Sequence, residues 1–104
     1  MILMTLALVV AAPDPGSLTA PRKAYEACLR AFEAKSVSDK MAKAAYGEAV
    51  KTACPDESQK LVSALVAYDV AMGTKRATAE SNAQMDLADY WSESEERFAD
   101  KTDN

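Results

Sequence analysis

Residues 21–35 read PRKAYEACLRAFEAK, and the large apolar side chains in this segment recur with the period of an α-helix. They are Tyr25, Cys28, Leu29 and Phe32, at i, i+3, i+4 and i+7. This spacing places them on one helical face, which a folded protein buries. Thr19 can cap the helix, and Pro21 is tolerated in a first turn because its missing N–H would be unpaired there. The sequence therefore predicts a first helix over about 21–35.

The only two cysteines of the chain are Cys28 and Cys54. An even pair in a small chain that reaches an oxidising compartment most simply forms a disulfide, whose Cα atoms lie about 4.4–6.8 Å apart. A tight link after the first helix would leave the two cysteines about 12 Å apart along a straight antiparallel hairpin. We therefore predict a longer link, through about Lys43, and a second helix over 44–54 that Pro55 ends. A bridge between two copies of the chain is the alternative.

A third helix is predicted from Pro55, because Asp56 and Glu57 then place acidic side chains in its first turn, at the positive end of the helix dipole. Its apolar stripe is the most regular of the chain and comprises Leu61, Val62, Leu65, Tyr68 and Met72. Gly73 could stop this helix. The rest of the chain contains neither Pro nor Gly, however, and passage through one Gly costs about 1 kcal/mol. We expect one long C-terminal helix that continues through Gly73.

Beyond Gly73 the apolar positions are less regular, which predicts that the far end of the C-terminal helix leaves the bundle. The residues expected to be buried there are Ala79, Ala83, Met85, Leu87, Tyr90, Trp91 and Phe98. With only 3 Gly in 104 residues, the chain does not resemble a turn-rich β protein. The predicted fold is all-α: one domain over 21–104, a small assembly of three to four helices with one disulfide.

The apolar run ILMTLALVVAA, residues 2–12, predicts the cellular location. As a helix it would span roughly 16 Å, too short for a bilayer core of about 30 Å but typical of a signal peptide. We predict a signal peptide over 1–11 and a flexible lead-in over 12–20, which is rich in Pro and Gly. A buried N-terminal helix or strand is the alternative. No cysteine closely follows the run, so we expect no lipid anchor and a periplasmic or secreted protein.

Charge and composition argue against several classes of function. The net charge is −4, which lacks the basic footprint of a nucleic-acid binder. His is absent, which removes the commonest general base and the commonest metal ligand. We therefore predict no catalytic residues, no cofactor and no metal. Acid pairs four residues apart, Asp89 with Glu93 and Glu96 with Asp100, could share a divalent cation, but a solvated helix face is favoured.

Tyr90, Trp91 and Phe98 are the candidate partner-binding residues of the chain. Trp and Tyr dominate the hot spots of protein interfaces, so an exposed cluster of these side chains would anchor a partner. The alternative is that all three pack against their own bundle.

Several short motifs resemble those of small exported bacterial proteins of unassigned function. They are Tyr25-x-x-Cys28, the Ala53-Cys54 pair and the run from Tyr68 to Gly73. The resemblance extends over 22–100 and implies an exported, mainly helical protein with one disulfide. It implies no activity.

The leading functional hypothesis is a non-catalytic exported protein that binds another envelope protein through its helical surface. The alternative is a structural protein that self-associates through a seam of Leu61, Leu65, Tyr68 and Met72. A small hydrolase ranks third, because serines such as Ser58 and Ser63 have no His to activate them.

Overall fold

The computed structural model describes residues 14–102, which form four α-helices and no strand. After a 3₁₀ helix at Pro15–Leu18, the α-helices are α1 (Thr19–Ser38), α2 (Lys43–Ala49), α3 (Pro55–Ala71) and α4 (Arg76–Thr102). The predicted all-α class, single disulfide and long C-terminal helix are confirmed. The predicted signal peptide, residues 1–11, lies outside the described residues.

Within the lead-in predicted over 12–20, the chain is helical from Pro15 onward. Asp14 caps the 3₁₀ helix: its Oδ1 accepts a hydrogen bond of 2.8 Å from the Gly16 N–H. Its carbonyl oxygen accepts another, of 2.7 Å, from the Ser17 hydroxyl. Pro15 occupies the first turn, where its missing N–H is not needed. Short polar and cyclic residues therefore start a helix within this segment.

Cys28 and Cys54 form the predicted disulfide, with their Cα atoms 6.1 Å apart. The link before α2 ends near Lys43 as expected, but α2 stops at Ala49 and is shorter than the predicted helix over 44–54. The reason is geometric: α1 rises about 15 Å between Cys28 and its end at Ser38, and the chain must descend the same distance. Seven helical residues descend about 10 Å, and the turn that follows supplies the rest.

The prediction that one helix continues through Gly73 is wrong, because α3 ends at Ala71. Gly73 has φ +97°, in the left-handed region that favours glycine. The Gly73 N–H donates to the Val70 carbonyl at 3.0 Å, and the Thr74 N–H donates to the Asp69 carbonyl at 2.9 Å. This pair of hydrogen bonds is a Schellman motif, which satisfies the last carbonyls of α3 and turns the chain into a hairpin with α4.

Helices α1 and α4 run parallel to each other. Arg22, near the start of α1, bonds to Asp86, whereas Glu33, further along α1, bonds to Arg97, further along α4. Helix α3 runs antiparallel to both, because the α3–α4 hairpin reverses the chain. Helix α2 covers the C-terminal half of α4, where the Tyr46 ring stacks on Phe98 with centroids 4.1 Å apart.

Helix α4 stays packed along its length, so the expectation that its far end leaves the bundle is wrong. Its buried positions are Ala79, Ala83, Leu87, Ser94 and Phe98. The spacing is regular once Ser94 is counted as an interior position. Two methionines that the apolar spacing predicts to be buried are instead exposed, Met72 at 61% and Met85 at 62%. Met72 follows the last helical residue of α3, and Met85 lies on the outer side of α4.

Candidate functional site

The structure separates the three candidate partner-binding residues. Phe98 is 1% exposed and belongs to the core, so it offers no surface to a partner in this fold. Trp91 is half-buried, and its Nε1–H donates a hydrogen bond of 3.0 Å to the hydroxyl of the buried Tyr25. Tyr90 is half-buried beside it, at the edge of a groove between α1 and α4.

Tyr90 is fixed in place by α1. The guanidinium of Arg22 donates to the Tyr90 hydroxyl at 2.9 Å and to the Asp86 carboxylate at 3.1 Å. The Tyr90 ring also packs edge-on against the Tyr25 ring, with centroids 5.3 Å apart. A half-buried tyrosine held on two sides loses little side-chain freedom on binding, which favours its use as a contact residue.

The groove beside Tyr90 is acidic. It has a volume of about 370 Å³ and is lined by Arg22, Glu26, Asp86, Asp89, Tyr90 and Glu93; we call it the acidic groove. Four carboxylates face one guanidinium, and that guanidinium is already paired with Asp86. Within the part of the chain that the structure describes, Glu26 and Asp89 form no hydrogen bond or ion pair. The groove therefore presents unneutralised negative charge to solvent.

A second polar cluster, centred on Glu33, has a buried centre and two partly exposed basic side chains, Arg97 and Lys101. The Glu33 side chain is fully buried, and its carboxylate accepts hydrogen bonds from the Ser94 hydroxyl at 2.9 Å and from Arg97 Nη2 at 2.8 Å. Lys101 Nζ lies 3.6 Å from the second carboxylate oxygen. The Ser94 hydroxyl also shares a 2.6 Å hydrogen bond with the Tyr46 hydroxyl. The cluster links α1, α2 and α4, and every buried polar side-chain atom among the described residues has a partner.

The electrostatics of this cluster keep Glu33 ionised. Burial by itself raises the pKa of the Glu33 carboxyl, but the hydrogen bonds from Arg97 and Ser94 and the positive charges of Arg97 and Lys101 outweigh burial. The net pKa of Glu33 is therefore lowered. Burial raises the pKa of the neighbouring Tyr46 hydroxyl, which remains a neutral donor and acceptor at physiological pH.

Sequence reasoning did not find the Glu33 cluster, although a signal was present. Glu33 lies four residues after Leu29 on the buried side of α1, and Ser94 lies four residues before Phe98 on the buried side of α4. A polar residue in phase with an apolar stripe indicates a buried polar pair when two helices carry one each. The serine–carboxylate pair resembles part of a catalytic arrangement. Both side chains are inaccessible to solvent, however, so this arrangement holds helices together and presents no reactive group to a substrate.

A third cluster surrounds the disulfide. The Sγ atoms of Cys28 and Cys54 and a carboxylate oxygen of Glu57 all lie within 4.8 Å of one another. Among the described residues, no other group of three or more His, Cys, Asp or Glu side chains converges in this way. The acid pairs Asp89 with Glu93 and Glu96 with Asp100, which were only candidates for a shared cation, belong to no such group among the described residues.

The seam predicted for self-association is used inside the molecule. Leu61 is fully buried and Leu65 is 7% exposed, and both belong to the core shared by α1, α3 and α4. Of the predicted seam residues, Met72 alone is largely exposed, at the end of α3. The apolar stripe of α3 is therefore not available to a second copy in this fold.

A larger groove of about 660 Å³ lies between α3 and α4. Its α3 side is mostly apolar, with Val62, Val66 and Ala67, whereas its α4 side carries Arg76, Glu80 and Gln84. Because both a positive and a negative side chain line this groove, its charge favours neither a basic nor an acidic partner.

Comparisons of the chain with protein-family models, with curated proteins and with solved structures find no match. Within residues 14–102, no helix combines the length and the apolar character that crossing a membrane requires. The Cys28–Cys54 disulfide fits an oxidising compartment, where disulfides persist.

Proposed function

We propose that this chain is a non-catalytic exported protein that binds a Lys- and Arg-rich segment of another envelope protein in the acidic groove. The observation that carries the proposal is the groove itself, where a tyrosine held in place by Arg22 lies among four carboxylates. Of the three residues that the sequence singled out for partner binding, Tyr90 is the one that lines this groove.

Charge complementarity identifies the chemistry of the partner. Glu26 and Asp89 have no protein partner in the described chain, so a lysine or arginine of a bound segment would replace only their hydration. An anionic partner, such as nucleic acid or an acidic lipid surface, would be repelled by the same carboxylates. Tyr90 adds an apolar ring and, through its hydroxyl, a hydrogen-bonding group at the edge of the contact.

A non-catalytic role agrees with the buried centre of the Glu33 cluster, whose serine cannot meet a substrate, and with the absence of His from the sequence. Export agrees with the apolar run at residues 2–12 and with a disulfide, which is rare in reducing compartments.

The proposal is tested by placing a photo-crosslinking amino acid at position 26, on the rim of the acidic groove, in cells that express the chain. The matched control places it at position 84, in the groove between α3 and α4. We expect a crosslinked product from position 26 alone, with the crosslink in a basic segment of a second protein. Equal products from the two positions, or a product that joins two copies of this chain, would contradict the proposal.

A charge variant measures the energetics of the same contact. In the double variant Asp89→Asn/Glu93→Gln, affinity for the crosslinked segment, made as a synthetic peptide, should fall about fivefold, because two exposed charge contacts together contribute about 1 kcal/mol. The matched control is Glu80→Gln/Glu96→Gln, which removes the same charge from α4 outside the acidic groove and should bind as the wild type does. Anisotropy titrations at two salt concentrations provide the measurement, and equal losses in the two double variants would contradict the assignment.

A further inference from the structure

We propose that the reduced chain binds a zinc ion through Cys28, Cys54 and Glu57, so that a metal cross-link can replace the covalent one. This inference is independent of partner binding in the acidic groove. It rests on the convergence of three ligand atoms, one from α1, one from the residue before α3 and one from the first turn of α3.

The geometry fits a small cation. Three atoms that lie within 4.8 Å of one another surround a point about 2.8 Å or less from each of them, whereas zinc takes sulfur at about 2.3 Å and carboxylate oxygen at about 2.0–2.2 Å. After reduction the two sulfurs are no longer bonded to each other, and on a tetrahedral ion that takes each at about 2.3 Å they would lie about 3.8 Å apart. Side-chain rotations that move each sulfur by about 1 Å reach this arrangement. In the oxidised chain the Cα atoms of the two cysteines lie 6.1 Å apart, a separation from which both thiolates reach one ion without a movement of the backbone.

Glu57 is available as the third ligand. It lies in the first turn of α3, three residues after Cys54, and forms no hydrogen bond or ion pair with the rest of the described chain. The helix dipole offers another explanation for Glu57, because an acidic side chain near the positive end of a helix is stabilising even when it binds no ligand. The dipole does not distinguish Glu57 from Asp56, however, and only Glu57 lies against the two sulfurs.

The site is accessible to a metal ion from solvent. Cys28 and Glu57 are half-buried, and Cys54 is 9% exposed, so a reductant and an ion can approach from one side. Two thiolates and one carboxylate leave the fourth position of a tetrahedral zinc ion to water.

Formation of the zinc site requires reduction of the disulfide, and a dithiol is the one co-reactant needed. Thiol–disulfide exchange transfers two electrons and two protons from the dithiol to the protein, which gives two cysteine thiols and the oxidised cyclic disulfide. Zinc then forms two Zn–S bonds and releases the two thiol protons to solvent, while the Glu57 carboxylate binds without releasing a proton.

The test uses the full chain, reduced with a dithiol, separated from it without oxygen and titrated with Zn²⁺ in competition with a chromophoric chelator. We expect one zinc ion per reduced chain and none per oxidised chain. Glu57→Gln should weaken zinc binding about tenfold or more, whereas Asp56→Asn, its neighbour in the same helical turn, should leave zinc binding unchanged. With Co²⁺ as the probe, a sulfur-to-cobalt charge-transfer band should appear in the wild type and be lost in Cys28→Ser.

Zinc binding that is equal in Glu57→Gln and wild type would overturn the proposal. This outcome includes the case in which reduction unfolds the chain and its free thiols bind zinc without a formed site, a case that circular dichroism would identify. A reduced wild-type chain that takes up no more zinc than the oxidised one would overturn the proposal as well.

Discussion

Glu33 is a buried anion that specifies how α1 lies against α4. Its carboxylate is bonded by Ser94 and Arg97 of α4, so sliding one helix past the other by a turn would leave an unpaired charge in the interior. Such an arrangement adds little net stability compared with an apolar pair, but it excludes other registers. We regard the Glu33 cluster as the feature that sets the parallel register of the two helices.

Replacing Glu33 should therefore destabilise the protein. In Glu33→Gln the Arg97 guanidinium loses its partner, but the Arg97 side chain is 26% exposed and remains partly hydrated. We expect a loss of about 2 kcal/mol in the free energy of unfolding, less than for a fully buried partner. Urea unfolding at neutral pH measures this value. Glu26→Gln, on the exposed side of the same helix, is the control and should change stability by less than about 0.5 kcal/mol. Equal effects of the two substitutions would contradict the role given to Glu33.

The same carboxylate should make stability depend on acid. The folded-state pKa of Glu33 is lowered, so the folded protein binds fewer protons there than the unfolded chain does. The contribution of Glu33 is therefore complete above its unfolded pKa of about 4.3 and is lost as the pH falls through the lowered folded pKa. The stability difference between wild type and Glu33→Gln should shrink as the pH is lowered below about 4. A difference that stays constant from neutral to acid pH would show that the charge of Glu33 is not involved.

For single residues, the sequence predicts buried apolar side chains better than buried polar ones. Tyr25 and Leu29 were placed in the core by their spacing alone, and they are fully buried. The spacing does not identify Glu33 and Ser94 as buried, because charged and hydroxyl side chains are ordinarily exposed to solvent. Glu33 and Ser94 are buried because they face each other from two helices, more than 60 residues apart in sequence. The periodicity of one helix gives no information about such a long-range contact.

Among the helices and turns, the end of α3 is controlled by one residue, Gly73. An added Cβ there meets no atom within 4 Å, so a larger side chain is opposed by the backbone conformation alone. With φ at +97°, Gly73→Ala should cost about 1–2 kcal/mol.

Gly47 provides the matched control for this prediction. It lies within α2, where alanine is the better helix former, and an added Cβ would meet only the end of the exposed Glu95 side chain, at 3.3 Å. We expect Gly47→Ala to be neutral or slightly stabilising. Thermal unfolding of the two variants tests the pair, and a Gly73→Ala variant as stable as wild type would argue for a helix that continues through this position.

The presence of the helices is predictable from the period of their apolar residues, whereas the C-terminal ends of α2 and α3 are not. Pro55 marks the start of α3 because proline fits the first turn of a helix and not its interior. Gly73 was ambiguous because the local cost of passing through it is only about 1 kcal/mol. The hairpin is favoured because it folds α4 back against α3 and α1 and buries Leu87 and Phe98. The free energy gained by this burial depends on tertiary contacts, so it cannot be predicted from the sequence around Gly73.

For the whole molecule, the disulfide joins α1 to Cys54, the residue just before α3, and closes a loop across a sequence separation of 26 residues. Because a loop of this length restricts the unfolded chain, Cys28→Ser/Cys54→Ser should lower the free energy of unfolding by about 3.5 kcal/mol. This is a large share of the stability expected for a domain of this size. Urea unfolding without reductant measures it, with Ser58→Ala, a partly exposed site near the start of α3, as a control that should stay within about 0.5 kcal/mol of wild type. A double variant as stable as wild type would show that helix packing alone holds the fold.

The architecture depends most on the two cysteines being joined to each other within one chain. Intact-mass measurement of the purified protein, treated with an alkylating reagent before any reduction, tests this directly. We predict the mass of a single chain with no added alkyl group, and two added groups only after reduction. A folded chain that accepts two alkyl groups without reduction, or a mass of two chains joined, would contradict the account.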